Sequence, residues 1–258
     1  MRRDFIRLTA AGVAALAGAA GRPAGAAPGP LRLKAVAFDA FPIFNPAPVA
    51  SRAEALFPGR GATLVDEWRL RQFEYAWLRL LSRRYADFWQ VTQDALAFAA
   101  SKLRLDVDPS GREALMNAFL ELVPWPDVAP ALGSLAGSGL RLAFLSNFTL
   151  RMLHANLERS GLSPLFDQVL STDLERTYKP DPRAYELAVE ALGLRREEIL
   201  FVAHAGWDAA GAESFGYPTF WVNRLGLPRE ELGARPDGEG RDLSDLVRFI
   251  ESRKENSS

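Results

Sequence analysis

The sequence predicts an α/β fold, a doubly wound parallel sheet with a helical cap domain inserted after the first strand. Three observations predict it. From about residue 128 onward, short apolar runs of strand length alternate with helical periodicities. Between about Pro48 and Val123 there is no strand-like run, only apolar residues at helical spacing. Polar, reactive residues stand at the ends of the apolar runs, where a parallel sheet gathers its ligand-binding groups.

The elements follow in order. Met1-Arg2-Arg3-Asp4-Phe5-Ile6-Arg7 precedes an Ala/Gly/Leu stretch that ends in a small-residue A-x-A site near Ala24-Gly25-Ala26-Ala27. This pattern reads as a twin-arginine signal peptide over 1–26, with export to the periplasm expected. A membrane anchor would want roughly 20 strongly apolar residues. A Pro/Gly linker at 27–30 leads to the first strand, Leu33–Phe38. The cap, 48–124, shows Leu64, Trp68, Phe73, Trp77, Leu80 and Leu81, then Val91, Leu96, Phe98 and Leu103. Pro124-Trp125-Pro126 marks the return, so the core comprises 31–47 and 125–258. There the reading is helix Val128–Gly139, strand Leu140–Leu145, helix Leu150–Ser160, strand Gln168–Ser171 and helix Pro182–Leu192. Strand Ile199–Ala203, helix Ala209–Phe215, strand Thr219–Val222 and helix Leu243–Ser252 complete it.

At 258 residues, 48% hydrophobic and with net charge −1, the chain can bury one sizeable core and has no basic excess that would suit nucleic acid. No membrane partner is expected either. The absence of cysteine excludes a disulfide framework, a thiol nucleophile and a thiolate metal site.

Asp39 directly follows the first apolar run, where a carboxylate among apolar neighbours loses hydration and gains reactivity toward carbon. A turn-capping Asp fits the same position. Ser146-Asn147 follow the strand Leu140–Leu145 and precede a helix; they suit an anionic ligand or a simple helix cap. Lys179 lies in Tyr178-Lys179-Pro180-Asp181-Pro182-Arg183-Ala184-Tyr185, and Asp208 follows Trp207 beyond the strand Ile199–Ala203. A Lys near Asp39 and Asp208 would balance their charge. Arg69 lies in Trp68-Arg69-Leu70-Arg71-Gln72-Phe73-Glu74-Tyr75-Ala76-Trp77, an aromatic-rich helix in which Arg71 and Arg79 read as surface residues. His154 reads as a surface residue of a helix. His204 reads as a strand-end histidine bonded to backbone, or as a proton relay.

Together these segments resemble the haloacid dehalogenase superfamily, and the strings around Arg69, Arg84-Tyr85-Ala86-Asp87-Phe88 and Tyr178–Ala188 resemble its L-2-haloacid dehalogenases over residues 33–250. The resemblance implies a nucleophilic Asp39, with Arg69 and Asn147 receiving a departing halide. It places Ser146 and Lys179 on the substrate carboxylate, and Asp208 with Lys179 on the hydrolytic water. Phe73, Phe88 and Trp207 wall the pocket, and Tyr185 supports Lys179, although core packing explains that tyrosine equally well. Phosphatases of the superfamily carry a second Asp two residues after the nucleophile; Phe41 stands there, which suits a leaving group that needs no proton. With one acidic group in the last motif, no metal and no cofactor are expected. The expected partner is a small 2-haloalkanoate, and the family's habit implies a possible homodimer.

Two segments depart from the family. Tyr-Gly-Thr-Leu-Phe becomes Phe41-Pro42-Ile43-Phe44-Asn45, losing a Thr hydroxyl and a backbone donor. Ser-Ser-Asn-Ala-Trp-Asp becomes Ala203-His204-Ala205-Gly206-Trp207-Asp208, losing further hydrogen bonds. Three functions accommodate this: an (S)-2-haloacid dehalogenase, a hydrolase of another 2-substituted acid such as a strained cyclic amino acid, or a non-catalytic binder of small carboxylates.

Overall fold

The computed structural model describes residues 32–255. The expected signal at 1–26 and its linker lie outside them. The chain runs β1 (Ala35–Phe38), α1 (Ala40–Ile43) and β2 (Phe44–Asn45), then the helices α2 (Ala47–Leu56), α3 (Gly61–Leu81), α4 (Phe88–Lys102) and α5 (Pro109–Asn117). It continues through β3 (Val123–Pro124), α6 (Val128–Gly137), β4 (Arg141–Ser146), α7 (Leu150–Ser160), β5 (Gln168–Ser171) and α8 (Pro182–Leu192). The last elements are β6 (Ile199–Ala203), α9 (Gly206–Phe215), β7 (Thr219–Val222), β8 (Gly238–Gly240) and α10 (Leu243–Glu255).

Six strands form one parallel sheet in the order β5-β4-β1-β6-β7-β8. Parallel strands covered on both faces should be apolar throughout, and β1, Ala-Val-Ala-Phe, is buried at every position. Alternate residues serve opposite faces. Val36, Phe38, Leu142, Phe144, Leu200 and Val202 join the core shared with α6, α7, α10 and the inserted helices. Ala35, Ala37, Ala143, Leu145, Phe201 and Ala203 face α8 and α9. The doubly wound sheet expected from the alternation is therefore present.

Between β2 and β3 the chain is helical, and those two short strands pair antiparallel, Phe44 opposite Pro124. Trp125 N donates to Ile43 O (3.0 Å) and its indole donates to Phe41 O (3.1 Å), so the return strand is tied to the segment just after Asp39. Inside the helical unit, the Trp68 indole donates to Thr92 O (2.8 Å) and Gln72 Nε2 to Thr92 Oγ1 (2.6 Å), locking α3 against α4.

Three local features differ from the sequence reading. The Ala40–Ile43 segment forms a helical turn. Asp39 is its N-cap and Pro42 falls in its first turn, where a backbone N–H has no intrahelical acceptor, so proline deprives the helix of nothing. The helix expected to begin at Ala209 begins at Gly206, which puts Trp207 and Asp208 in its first turn. The edge strand Gly238-Glu239-Gly240 was not expected, because it carries no apolar pattern at all.

Candidate active site

Asp39 stands one residue beyond β1, and its own amide donates to Val202 O of β6 (3.0 Å). Its carboxylate is held unequally. Oδ1 accepts Ser146 Oγ at 3.0 Å and Lys179 Nζ at 2.9 Å, while Oδ2 accepts the Phe41 amide at 3.3 Å. Burial is the largest influence on this group and pushes its pKa up. The Lys179 cation, its hydrogen bond and the Ala40 and Phe41 amides together outweigh burial and hold the pKa below the usual 3.8. Asp39 is thus a buried carboxylate kept ionised.

Lys179 follows the turn after β5 and is buried among acceptors. Nζ reaches Asp39 Oδ1, Asp208 Oδ2 (2.7 Å) and Leu145 O (3.2 Å), and it lies 4.9 Å from the Phe201 ring centroid. Burial disfavours its charge most strongly, yet Asp208 and Asp39 raise its pKa above the usual 10.5. Asp208, at the third position of α9, gives its other oxygen to the Tyr185 hydroxyl (2.8 Å). For Asp208, burial and the Asp39 charge outweigh Lys179, and its pKa rises to about 6.

Asn147 follows β4. Its Oδ1 accepts the Lys179 amide (3.0 Å) and Thr172 Oγ1 (3.2 Å), which fixes the side-chain amide and leaves its NH2 as the uncommitted end. On α3, Arg69, Phe73 and Trp77 share one face at four-residue spacing. The Arg69 guanidinium lies 4.7 Å from the Phe41 ring centroid and 6.0 Å from that of Phe73, and forms no salt bridge among the described residues. Burial lowers its pKa, against the opposing pull of Asp39 and Asp66. Arg71 and Arg79 are committed elsewhere, to Glu67 and Glu74 and to Asp94 respectively.

These groups line one cavity: Asp39, Phe41, Arg69, Phe73, Phe88, Ser146, Asn147, Lys179, Trp207 and Asp208 all border it. Tyr185 stands behind Asp208 without lining it. Sequence reasoning missed Phe148, which meets Phe41 edge-on at 5.3 Å and Phe88 at 5.8 Å. Its place directly after Ser146-Asn147 was the available signal. Trp77 enters the sequence reading only as part of the helical periodicity of the cap. Its indole donates to Lys179 O (3.1 Å) and its ring meets Trp207 edge-on at 5.3 Å, so it ties the inserted helices to the Lys179 segment.

Ser146 and Lys179 direct their donors at Asp39, where the resemblance placed them on the substrate carboxylate. His154 is exposed on α7. His204 borders the cavity 5.8 Å from the Phe41 ring; its Nδ1 is buried with no hydrogen-bond partner among the described residues, contrary to the expected bond to backbone. Among the described residues no three His, Asp or Glu side chains converge as a metal site, and no helix is long and apolar enough to cross a membrane.

The haloacid dehalogenase-like hydrolase family matches residues 13–216. An (S)-2-haloacid dehalogenase of Pseudomonas sp. (strain YL) is 44% identical over 85% of this chain and 95% of its own length. The crystal structure of an L-2-haloacid dehalogenase superposes with a TM-score of 0.84 at 43% identity, covering 85% of this chain and 99% of the other. The L-2-haloacid dehalogenase from Xanthobacter autotrophicus with chloropropionic acid covalently bound gives 0.79 at 39% identity, covering 85% and 98%. A chain that shares this fold and aligns along nearly the full length of these enzymes belongs to the haloacid dehalogenase-like hydrolases, in their (S)-2-haloacid dehalogenase branch.

Proposed function

We propose that the protein is a hydrolytic (S)-2-haloacid dehalogenase acting through an ester on Asp39. The observation that carries this reading is the unequal holding of the Asp39 carboxylate beside a guanidinium that forms no salt bridge among the described residues. Oδ1 is saturated by Ser146 and Lys179, so Oδ2 is the oxygen with a lone pair to give. Oδ2 attacks C2 of the substrate in line, the carbon–halogen bond breaks with its electron pair, and the centre inverts. The departing halide is received by Arg69, the Asn147 NH2 and the ring edges of Phe73, Phe88 and Trp207. Phe41 occupies the place of a proton-donating Asp, which a halide does not need. Once the ester forms, Oδ1 is its carbonyl oxygen. Ser146 and Lys179 then stabilise the negative charge that grows there when water attacks Cγ. Cleavage of the Cγ–Oδ2 bond releases an (R)-2-hydroxyacid. Asp208, braced by Tyr185, holds Lys179 in place. The covalent adduct in the Xanthobacter relative supports an ester intermediate.

Halide release from (S)- and (R)-2-chloropropionate tests the reading. The expected result is release from the (S) form alone, and loss of at least about a thousandfold in Asp39→Asn, which removes the nucleophile. Full activity in Asp39→Asn would discard the mechanism.

Two wider expectations belong to the same reading. Export by the twin-arginine route would place the enzyme in the periplasm; fractionation of cells expressing Arg2→Lys/Arg3→Lys should find it retained in the cytoplasm. A homodimer would cover Leu70, Leu78 and Leu81, which stand exposed along one side of α3; sedimentation of a Leu78→Glu variant should then show monomer.

A further inference from the structure

The hydrolytic half of the reaction needs a group that holds a water against Cγ of the Asp39 ester and takes its proton. The polar side chains around the cavity can be counted for spare capacity. Lys179 has three protons and three acceptors, Asp39, Asp208 and Leu145 O. Ser146 donates to Asp39 and accepts the Phe148 amide (3.3 Å). Asn147 Oδ1 already accepts two donors. Each oxygen of Asp208 accepts one donor, from Lys179 and from Tyr185, and keeps a second lone pair. Arg69 can only donate. The group with a ring nitrogen wholly without a partner is His204, which borders the same cavity as Asp39 and whose buried Nδ1 has no hydrogen-bond partner among the described residues. A buried polar atom without a partner is rare, and beside a substrate cavity a catalytic role is one explanation for it.

We infer that His204 is a catalytic residue of the second half-reaction, the group that holds the hydrolytic water and relays its proton. This deepens the dehalogenase reading and rests on it. The water oxygen bonds to Cγ while one water proton passes to the imidazole, and the ester carbonyl electrons move to Oδ1, where Lys179 and Ser146 meet them. The intermediate collapses, the Cγ–Oδ2 bond breaks, and the departing 2-alkoxide takes the proton from the imidazolium. The remaining water proton leaves to solvent as the Asp39 carboxylate is restored.

The surroundings keep the ring neutral. Burial, then the charges of Arg69 and Arg224, disfavour the imidazolium, while Asp39 favours it; together they bring the His204 pKa down to about 4. The ring is therefore neutral at neutral pH and keeps a lone pair. His204 also occupies the segment in which the family's usual hydroxyl and amide side chains are replaced by Ala203 and Ala205.

The test separates the two half-reactions. Wild-type, His204→Ala and His204→Asn enzymes are mixed with excess (S)-2-chloropropionate, and halide and intact subunit mass are followed from the first turnover. His204→Ala should release one halide per site at close to the wild-type rate. Its turnover should then fall about a hundredfold, while the subunit carries a mass equal to substrate less hydrogen chloride. His204→Asn, which keeps an acceptor near Nδ1, should recover part of the turnover. The burst amplitude counts folded sites, and should His204→Ala fail to fold, the same adduct is expected, at lower occupancy, in His204→Asn. A first halide slowed in step with turnover, or a rise in KM alone without an adduct, would overturn the assignment and leave the dehalogenase reading standing. A wild-type enzyme releasing no halide above the Asp39→Asn background would overturn both.

Discussion

Lys179 is shared by two carboxylates with different tasks. In the proposed mechanism Asp39 must stay ionised yet keep Oδ2 free to attack, while Asp208 draws part of the ammonium charge toward itself. Protonating Asp208 removes that pull, and Lys179 then pairs with Asp39 alone and damps its nucleophilicity. Because the Asp208 pKa lies at about 6 and that of Asp39 lies below 3.8, acid should act through Asp208 first. The initial halide burst should fall about tenfold per pH unit below an apparent pKa near 6. Asp208→Asn should lower the plateau and remove that limb. The sign for stability is opposite: a carboxyl group with a raised folded pKa favours the folded state most at low pH, and that contribution is lost as pH rises through about 6. Several of these residues were legible in the sequence because each is a polar residue directly following an apolar run, as Asp39 and Ser146 are. The state of His204 was not, because whether a strand-end imidazole meets a carbonyl or a cavity depends on side-chain direction, which spacing does not encode.

Among the elements, α9 shows how closely the packing sets the chemistry. A Cβ on Gly211 would stand 2.6 Å from the Tyr185 hydroxyl and 2.7 Å from Pro180 Cβ, so only glycine lets α9 approach α8 closely enough for Tyr185 to reach Asp208. Gly211→Ala should push the two apart, costing about 1–3 kcal/mol and lowering Tm by about 2–10 °C. Adding Tyr185→Phe should recover part of that loss, a coupling that a double-mutant cycle with thermal melts would read. The helix itself was placed three residues late in the sequence reading, since Gly206-Trp207 is a poor helix opening by propensity. It forms because Asp208 and Ala209 amides both reach Ala205 O, at 3.1 Å each. The strands of the sheet interior were legible as unbroken apolar runs. Gly238–Gly240 was not: an edge strand that pairs through its backbone can dispense with the apolar pattern that reveals the others.

Across the whole molecule, the inserted helices are fastened to the core at both ends of their excursion. Beyond the β2–β3 pair, Arg224 after β7 grips Asp127 with two nitrogens, at 3.0 and 2.8 Å. It also donates to Pro42 O (3.0 Å), and its guanidinium lies 4.6 Å from the Trp125 ring centroid. Arg224→Ala leaves a half-buried Asp127 without its cation and should cost about 2–4 kcal/mol in chemical denaturation. Arg224→Lys should be only a partial remedy, because an ammonium cannot reproduce the two-pronged contact. This fastening joins segments far apart in sequence, so local periodicity revealed the helices it secures and gave no sign of the clasp.

The place of β1 at the middle of the sheet sets the order in which the enzyme can come into being. Asp39 is made early, but the strands on either side of it belong to the later part of the chain, with Ser146 107 residues away and Lys179 140. Contacts of such long sequence separation slow folding, since each closes a large loop before it is rewarded. A growing chain can build its inserted helices on the ribosome, yet it has no sheet to complete until β6 has emerged, and no working carboxylate until Asp208 follows it. The carboxylate is synthesised well before the strands and side chains that complete its surroundings.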